Sequence, residues 1–494
     1  MLRTKATLSG CGEQYCDDPG VLRYGQVPGW GTPFYLAQNY NKNTLNKFLW
    51  DELKISTLAT YVGALRFHAL IRCNMITCHQ IGYYIAAFHP LSEIVSLLLQ
   101  NPAKIPLLFR LYQRYKVQSR VGGRDNGLPD SKDMKQCWAL LDLTSKTFAK
   151  VIRQLPGDLR PAVCLLYLVL RALDTIEDDM TLDLDQVKLP MLRAFHESIS
   201  INGWTFNGSG PNEKDRQLLV EFDVVVRELA LTNELYRQII VDTCHTMGDG
   251  MADFCRRQRI SSETASSTVE TVADLDLYCH YVAGVVGQGL SRLFAASGLE
   301  RHWLRDQDVL SNSWGLFLQK VNILRDYRED VDDSRCFWPK HFWIKHGFKR
   351  VEDMYDSARE ADALNVLSEM VVEALSHAVD TLDYLNLLTH PQIFEFVAIP
   401  VIMAMLTAKA CFMNPAVFHT EVKPSKQEYI PILACLEDIN DVAKLFAESA
   451  NHIRQRAIPA DPNYQRICKV TTDIESWYQK RRPNVWTRVV SLLG

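Results

Sequence analysis

Two short acidic runs hold the residue types best suited to chemistry. Residues 174–179 read DTIEDD, and residues 321–333 read VNILRDYREDVDD. In each run two aspartates stand four apart, Asp174 with Asp178 and Asp326 with Asp330. On a helix such positions share a face, so each pair presents two carboxylates side by side. Like charges at that spacing repel. The first run also follows PAVCLLYLVL, an apolar stretch with nothing to satisfy a charge. Hard divalent cations favour such oxygen ligands, and Mg²⁺ takes one or two carboxylates together with phosphate oxygens. Arg171 precedes the first run, and Arg325 and Arg328 lie within the second. The guanidinium fork grips either carboxylate or phosphate oxygens. A single DxxxD face is ordinarily a solvated helix surface. Two of them, each set in apolar helix beside arginine, point to Mg²⁺-dependent diphosphate chemistry in a helical bundle.

The elements that must position these residues are read from the rest of the chain. Its 494 residues, 47% hydrophobic and 23% charged, suffice for a large buried core. A net charge of −4 gives no basic footprint for nucleic acid, so an anionic ligand must be held locally. The thirteen cysteines lack paired zinc-site spacing and read as reduced thiols, most of them in the core. The start, MLRTKATLSGCGEQ, lacks the apolar run of a signal peptide. No window reaches about 18 consecutive apolar residues, so no membrane-spanning helix is expected. Residues 10–42 are rich in Gly, Pro, Asn and Tyr without helical period, and 43–80 show weak helical spacing. From about residue 90 the spacing predicts long helices with short breaks and almost no strand. Gly- and Asn-containing loops are expected at 121–128 and 203–213, and a Pro-marked loop at 456–463. The expected organisation is an N-terminal extension over 1–81, partly irregular, an all-α domain over 82–470, and a tail over 471–494.

The residues around the acidic runs resemble a known family. YLVLRALDTIEDDMTL (167–182), MGDGMADF (247–254), YCHYVAGVVGQGLSRLF (278–294), LFLQKVNILRDYRED (316–330), RCFWPKHFW (335–343) and FEFVAIP (394–400) are similar, in this order, to the blocks of squalene synthases. The resemblance spans about 82–450 and implies a divergent fungal copy with the all-α isoprenoid synthase bundle around a central cavity. It further implies head-to-head condensation of two farnesyl diphosphates to presqualene diphosphate, then NADPH-dependent reduction to squalene. Carried over position by position, Asp174, Asp178, Asp326 and Asp330 would hold Mg²⁺, and Tyr278 matches the proposed acid/base residue. Read alone, a Tyr there would be a packed phenol with its hydroxyl bonded locally. Arg171 and Arg335 match phosphate contacts, while Ser145, Lys146, Phe148, Tyr167, Gln319, Asn322 and Phe396 match substrate contacts. Phe394 and Trp338 lie in blocks that line the apolar cavity, where ring faces stabilise carbocations by about 1–2 kcal/mol each. Lys423 and Lys426 fall in the flap associated with NADPH. The glycines of VAGVVGQGL form a helix-packing face. The resemblance also implies a monomer on the cytosolic side of the endoplasmic reticulum, associated peripherally in the absence of a visible anchor.

Four blocks depart from the family pattern. SRSF is here Ser145-Lys146-Thr147-Phe148, so a bidentate fork becomes a point charge. QKTN is Gln319-Lys320-Val321-Asn322, AIPQ is Ala398-Ile399-Pro400-Val401, and the flap VKIRKG is Val422-Lys423-Pro424-Ser425-Lys426-Gln427. None touches the four aspartates or Tyr278, so the first half-reaction is expected to survive, with reduction less secure. Three outcomes follow: an active squalene synthase, possessing resistance to a diphosphate-mimicking inhibitor; a synthase that stops at presqualene diphosphate or yields another C30 product; or a weak diphosphate-ligand binder that confers self-resistance. Glu177 and Asp179 are expected in supporting or solvated roles.

Overall fold

The computed structural model describes residues 130–264, 268–333 and 335–481. A division of the chain falls between Ile105 and Pro106, and every described residue belongs to the second unit. The extension over 1–81, the helices expected from residue 90 to 129 and the loop at 121–128 lie outside the described residues, as do residues 482–494. Among the described residues all regular structure is helical, as the spacing predicts.

The helices used below are α1 (Lys132–Thr144), α2 (Lys146–Ile152), α3 (Leu159–Asp178), α4 (Leu189–Ser198), α5 (Glu234–Thr264), α6 (Val272–Cys279), α7 (Val285–Ala296), α8 (Asp308–Arg325), α9 (Tyr327–Asp332), α10 (Glu360–Leu375), α11 (Ala378–Leu387), α12 (Pro391–Cys411), α13 (Lys426–Ala434), α14 (Ile439–Arg456) and α15 (Tyr464–Arg481). The loops expected at 203–213 and 456–463 are irregular between α4 and α5 and between α14 and α15. Helix α15 continues through residue 470 to Arg481, because Ile467, Thr471 and Ile474 extend one buried stripe against α10, α11 and α14.

Helix α8 is the hub. It packs against α6, α7, α10, α11 and α12, and against a π-helical turn, His280–Gly284, that joins α6 to α7. Its Trp314, Phe317, Val321 and Leu324 are buried, so it is apolar around most of its girth. Helix α12 is long and apolar enough to cross a membrane, which a search for an unbroken apolar run overlooks. Two thirds of its most apolar window (67%) is nevertheless buried in the protein. It serves as a second core helix against α8.

The glycines make the approach of α8 possible. A Cβ on Gly315 would fall 2.4 Å from the Ala283 carbonyl oxygen, and one on Gly287 would fall 2.3 Å from that of Ser311. In both cases the obstacle is backbone, which cannot swing aside as a side chain can. The packing face read in VAGVVGQGL is thus backbone-to-backbone, with Gly315 supplying the other side. Gly315→Ala should destabilise the fold by about 2–3 kcal/mol, as overpacking does, read as a lower urea midpoint. Ala at the open position Gly203 is governed by its φ of 80° instead, and serves as a comparison without steric contact.

Candidate active site

Helix α3 delivers the first acidic run. Leu165, Leu166, Leu168, Val169, Ala172, Leu173 and Ile176 bury it on nearly every side, and its last turn emerges with Asp174 and Asp178. Two contacts fix that end. Asp179 is buried and accepts from the Thr181 amide at 2.9 Å, the Thr181 hydroxyl at 2.6 Å and the Gly210 amide at 2.8 Å. Lys188, also buried, donates through Nζ to the Glu177 carbonyl at 2.7 Å, capping the helix where its carbonyls lack partners. Asp179 therefore has the supporting role, clamping the 203–213 loop.

Asp174 has 31% of its side chain accessible. Burial pushes its carboxyl up to about 6. Arg171 at 3.5 Å opposes the rise, while Asp178 and Asp215 add to it. Glu177 is half-buried rather than solvated, and burial with the Asp178 and Asp174 charges drives its carboxyl to about 8. Asp215, which the sequence reading passed over, is buried beside Arg171 with Nε–Oδ2 at 3.7 Å.

The second run straddles a junction between two helices. Helix α8 ends at Arg325, Asp326 sits at the junction with φ −93° and ψ 11°, and α9 restarts at Tyr327. The Asp330 amide still donates to the Asp326 carbonyl at 2.9 Å, so the two aspartates keep their i, i+4 relation across the junction while engaging different arginines. Arg325 grips Asp326 with two hydrogen bonds of 2.6 Å, and it also lies 3.4 Å from Glu421. Asp330 faces Arg335 at 3.3 Å, and burial pushes its carboxyl up to about 7 despite that arginine. Tyr327 anchors the junction, donating to the Val351 carbonyl at 2.6 Å and packing on Trp338 and Phe418.

Arg335 joins the two runs. Its Nη1 donates to Asp178 at 2.6 Å, and its Nη2 lies 3.3 Å from both Asp330 and Asp333. Tyr278 stands between them. It is 7% exposed, stacked on Phe337 at 4.6 Å and 18°, and edge-on to Phe254. Its phenol is pushed well above the ordinary value by burial and then by Glu177 and Asp178. The Tyr278 hydroxyl makes no hydrogen bond to a described residue, so the local partner expected of a merely packed Tyr is missing. Three polar atoms around the aspartates are buried without hydrogen-bond partners: Tyr167 Oη, Arg171 Nε and Arg335 Nε. Buried donors in that state are open to a ligand, an ion or water.

The remaining expected residues divide into those near this centre and those set apart. Phe148 packs on Tyr167 at 5.6 Å, and Arg171 lies over the Tyr167 ring at 6.0 Å, so α2 meets the same face of α3. Ser145 caps α2, accepting from the Phe148 amide at 3.2 Å, and Lys146 is exposed. Gln319 is half-buried and Asn322 is exposed on α8. Phe394 is buried, and Phe396 packs edge-on to Phe294 at 6.0 Å. Trp338 is fully buried and donates to the Ile323 carbonyl at 3.3 Å, which makes it a brace for the second run. Of the substituted positions, Val321 and Val401 are buried in the core. Lys423 pairs with Glu421 at 2.5 Å, forming a charged line Asp326–Arg325–Glu421–Lys423 from the acidic run to the flap. A pocket of about 340 Å³ is lined by Arg325, Asp326, Arg328, Glu329, His419 and Glu421 along that line. Lys426 starts α13.

No three His, Cys, Asp or Glu side chains among the described residues are gathered around one point suited to a metal ion. The donor set does fit a hard divalent cation. It is all carboxylate oxygen, and burial, with neighbouring carboxylates adding to it, raises Asp174, Glu177 and Asp330 despite the nearby arginines and Lys188.

Residues 141–428 match the family model described as squalene/phytoene synthase. A squalene synthase of Ganoderma lucidum is 43% identical over 406 residues, covering 80% of this chain and 86% of that one. A squalene synthase of Schizosaccharomyces pombe is 47% identical over 363 residues, covering 73% and 77%. A solved structure of TcSQS in complex with the ligand E5700 superposes with a TM-score of 0.67 at 37% identity, covering 71% of this chain and 99% of that one.

Arg335→Gln should strip the counter-ion from Asp178, Asp330 and Asp333. The expected loss at pH 8 is about 1–2 kcal/mol, between the values for exposed and buried pairs. The loss should shrink toward pH 5.5, where Asp330, raised to about 7, is largely protonated and needs the arginine less. Urea unfolding at the two pH values reads the difference.

Proposed function

The chain belongs to the squalene/phytoene synthase family and is a transferase, and from that premise we propose that it joins two farnesyl diphosphates head to head to presqualene diphosphate and reduces this with NADPH to squalene. The observation that carries the reading is the centre itself. Two carboxylate clusters meet through Arg335 around a buried Tyr278, beside buried donors that lack partners.

Asp174, Asp178, Asp326 and Asp330 are the residues that would hold Mg²⁺, which when bound supplies the charge that makes a diphosphate a leaving group. Arg171 Nε, Tyr167 Oη and Arg335 Nε would donate to diphosphate oxygens and orient the reacting carbon. Arg335, released from Asp178 and Asp330, is the fork best placed to follow the departing charge. Tyr278 keeps its proton at neutral pH, which suits it to donate to a diphosphate oxygen. Taking a proton back requires the Glu177 and Asp178 field to be neutralised, as bound cations do. Phe337 and Phe254 fix its ring and exclude water. Phe148 and Phe396 would meet the farnesyl chains. Lys423 and Lys426 would face NADPH, which when bound supplies the hydride. The family premise extends to a monomer at the cytosolic face of the endoplasmic reticulum, readable by fractionation.

One assay tests this. Farnesyl diphosphate with Mg²⁺ should yield squalene only when NADPH is present. Presqualene diphosphate under both conditions would favour a synthase that stops midway, a reading prompted by the hold of Glu421 on Lys423. No turnover at all would favour a binder. Asp174→Asn should lower turnover by at least about a hundredfold, since a carboxylate–metal contact at the leaving group is lost.

A second reading is that this is an inhibitor-resistant copy. It now rests on Lys146, which is exposed beside the Phe148–Tyr167 pair, because Val321 and Val401 are buried. Lys146→Arg should restore a bidentate grip and tighten inhibition by a tricarboxylic diphosphate mimic by about tenfold. Unchanged inhibition removes the resistance reading.

A further inference from the structure

We propose that Lys320 is a positioning residue for this reaction: a buried ammonium that fixes the helix carrying Tyr278 against the helix that ends at Asp326. The proposal rests on the function given above and concerns a group that touches neither substrate nor metal.

Lys320 lies on α8, six residues before Asp326, with 1% of its side chain accessible. A lysine this buried is costly unless each ammonium proton finds an acceptor. Three acceptors surround Nζ. Asp276 Oδ1 lies at 2.5 Å, His377 Nε2 at 2.9 Å and the Glu373 carbonyl at 3.4 Å. They come from three different elements. Asp276 is on α6, two residues before Tyr278. Glu373 is on α10, and His377 caps the start of α11. One side chain thus triangulates the Tyr278 helix, the Asp326 helix and the α10–α11 corner.

The direction of every hydrogen bond in this cluster is forced. An ammonium has no lone pair, so it donates to Nε2 of His377. The imidazole proton then sits on Nδ1, which donates to Ser313 Oγ at 2.8 Å. Ser313 in turn gives its own proton to Asp380 Oδ2 at 3.0 Å. Burial, with Lys320 adding to it, holds His377 down to about 3, so it remains a neutral acceptor throughout the physiological range. The other titratable group against Lys320 is the Cys279 thiol, which burial pushes up to about 12 and keeps uncharged. Two hydrogen bonds, to His377 Nε2 and the Glu373 carbonyl, tie Nζ to the α10–α11 corner, and its charge pairs with Asp276 across to α6.

The Asp276 side chain is 42% accessible, so water could serve its charge in the absence of Lys320. What water cannot do is hold α6 in register with α8. A displacement of about 1 Å at a reacting group costs on the order of a hundredfold in rate. The ion pair therefore matters more for placement than for stability, since apolar replacements of buried pairs leave stability unchanged or improved.

The test is a pair of comparisons on the full chain, with purified variants assayed for farnesyl diphosphate turnover. The double variant Lys320→Met/Asp276→Leu should melt at or above the temperature of the parent. Its kcat should nevertheless fall by about a hundredfold, with KM for farnesyl diphosphate within about threefold. His377→Gln can accept from Lys320 through its carbonyl and donate to Ser313 through its amide, so it should keep kcat within about threefold. His377→Leu, of similar bulk and without either bond, should lose at least about tenfold. A folded double variant with parental kcat overturns the inference, as does a His377→Gln no better than His377→Leu. An inactive parent chain would overturn the proposed function and this inference together, and that outcome is distinct from an active parent with unaffected variants.

Discussion

Everything at the centre of this molecule follows from negative charge being held where water is scarce. Asp174, Glu177 and Asp178 crowd around one buried phenol, with Asp330 on the other side of Arg335, and burial raises the carboxyls of Asp174, Glu177 and Asp330. Such an arrangement survives only if positive charge is close by. The chain provides it in graded form: Lys188 under the end of α3, Arg171 along its face, and Arg335 across the gap to the second run. Lys188 is tied into backbone, whereas both arginines retain a buried Nε without a hydrogen-bond partner. The fixed cation maintains the fold. The two with spare donors are those a diphosphate can recruit.

Holding charge in this way requires a stiff surround, and the helix packing supplies it. Helix α8 touches α7 and the π-helical turn so closely that glycine is required at the contacts. Such packing has little play, so Asp326 at the end of α8 and Tyr278 at the end of α6 are placed by backbone as well as by side chains. The polar cluster at Lys320 sits on the other side of the same helix. A hydrophobic contact is indifferent to small rotations, but a set of oriented hydrogen bonds is not.

Much of the fold and the first half of the site was legible in the sequence because they depend on local spacing. Asp174 and Asp178 share a face of α3 as a period of 3.6 dictates, and the all-α architecture follows from the same periodicity. The spacing of Asp326 and Asp330 is helical, and a backbone hydrogen bond keeps that relation across the junction between α8 and α9; what no periodicity reveals is the junction itself, where Tyr327 turns inward to bond Val351. Asp215, Glu421 and His377 were missed for a related reason. Each lies in a loop or at a helix terminus and acquires its role from a partner far along the chain. Helix α12 shows the converse: by length and composition it could lie in lipid, and only its burial against α8 assigns it to the core.

The bond between Asp178 and Arg335 closes a loop of 157 positions. During synthesis the first acidic run emerges, together with the apolar helix behind it, well before the residue that bridges it to the second run. Until the later helices dock, those carboxylates repel one another with only Arg171 and Lys188 to offset them, which disfavours premature collapse of that half onto itself. Contacts of such long range are slow to form, because the closure entropy must be met before they contribute. The centre therefore exists only once residues 157 positions apart have been brought together, and a chain that has not finished folding has no assembled site with which to act.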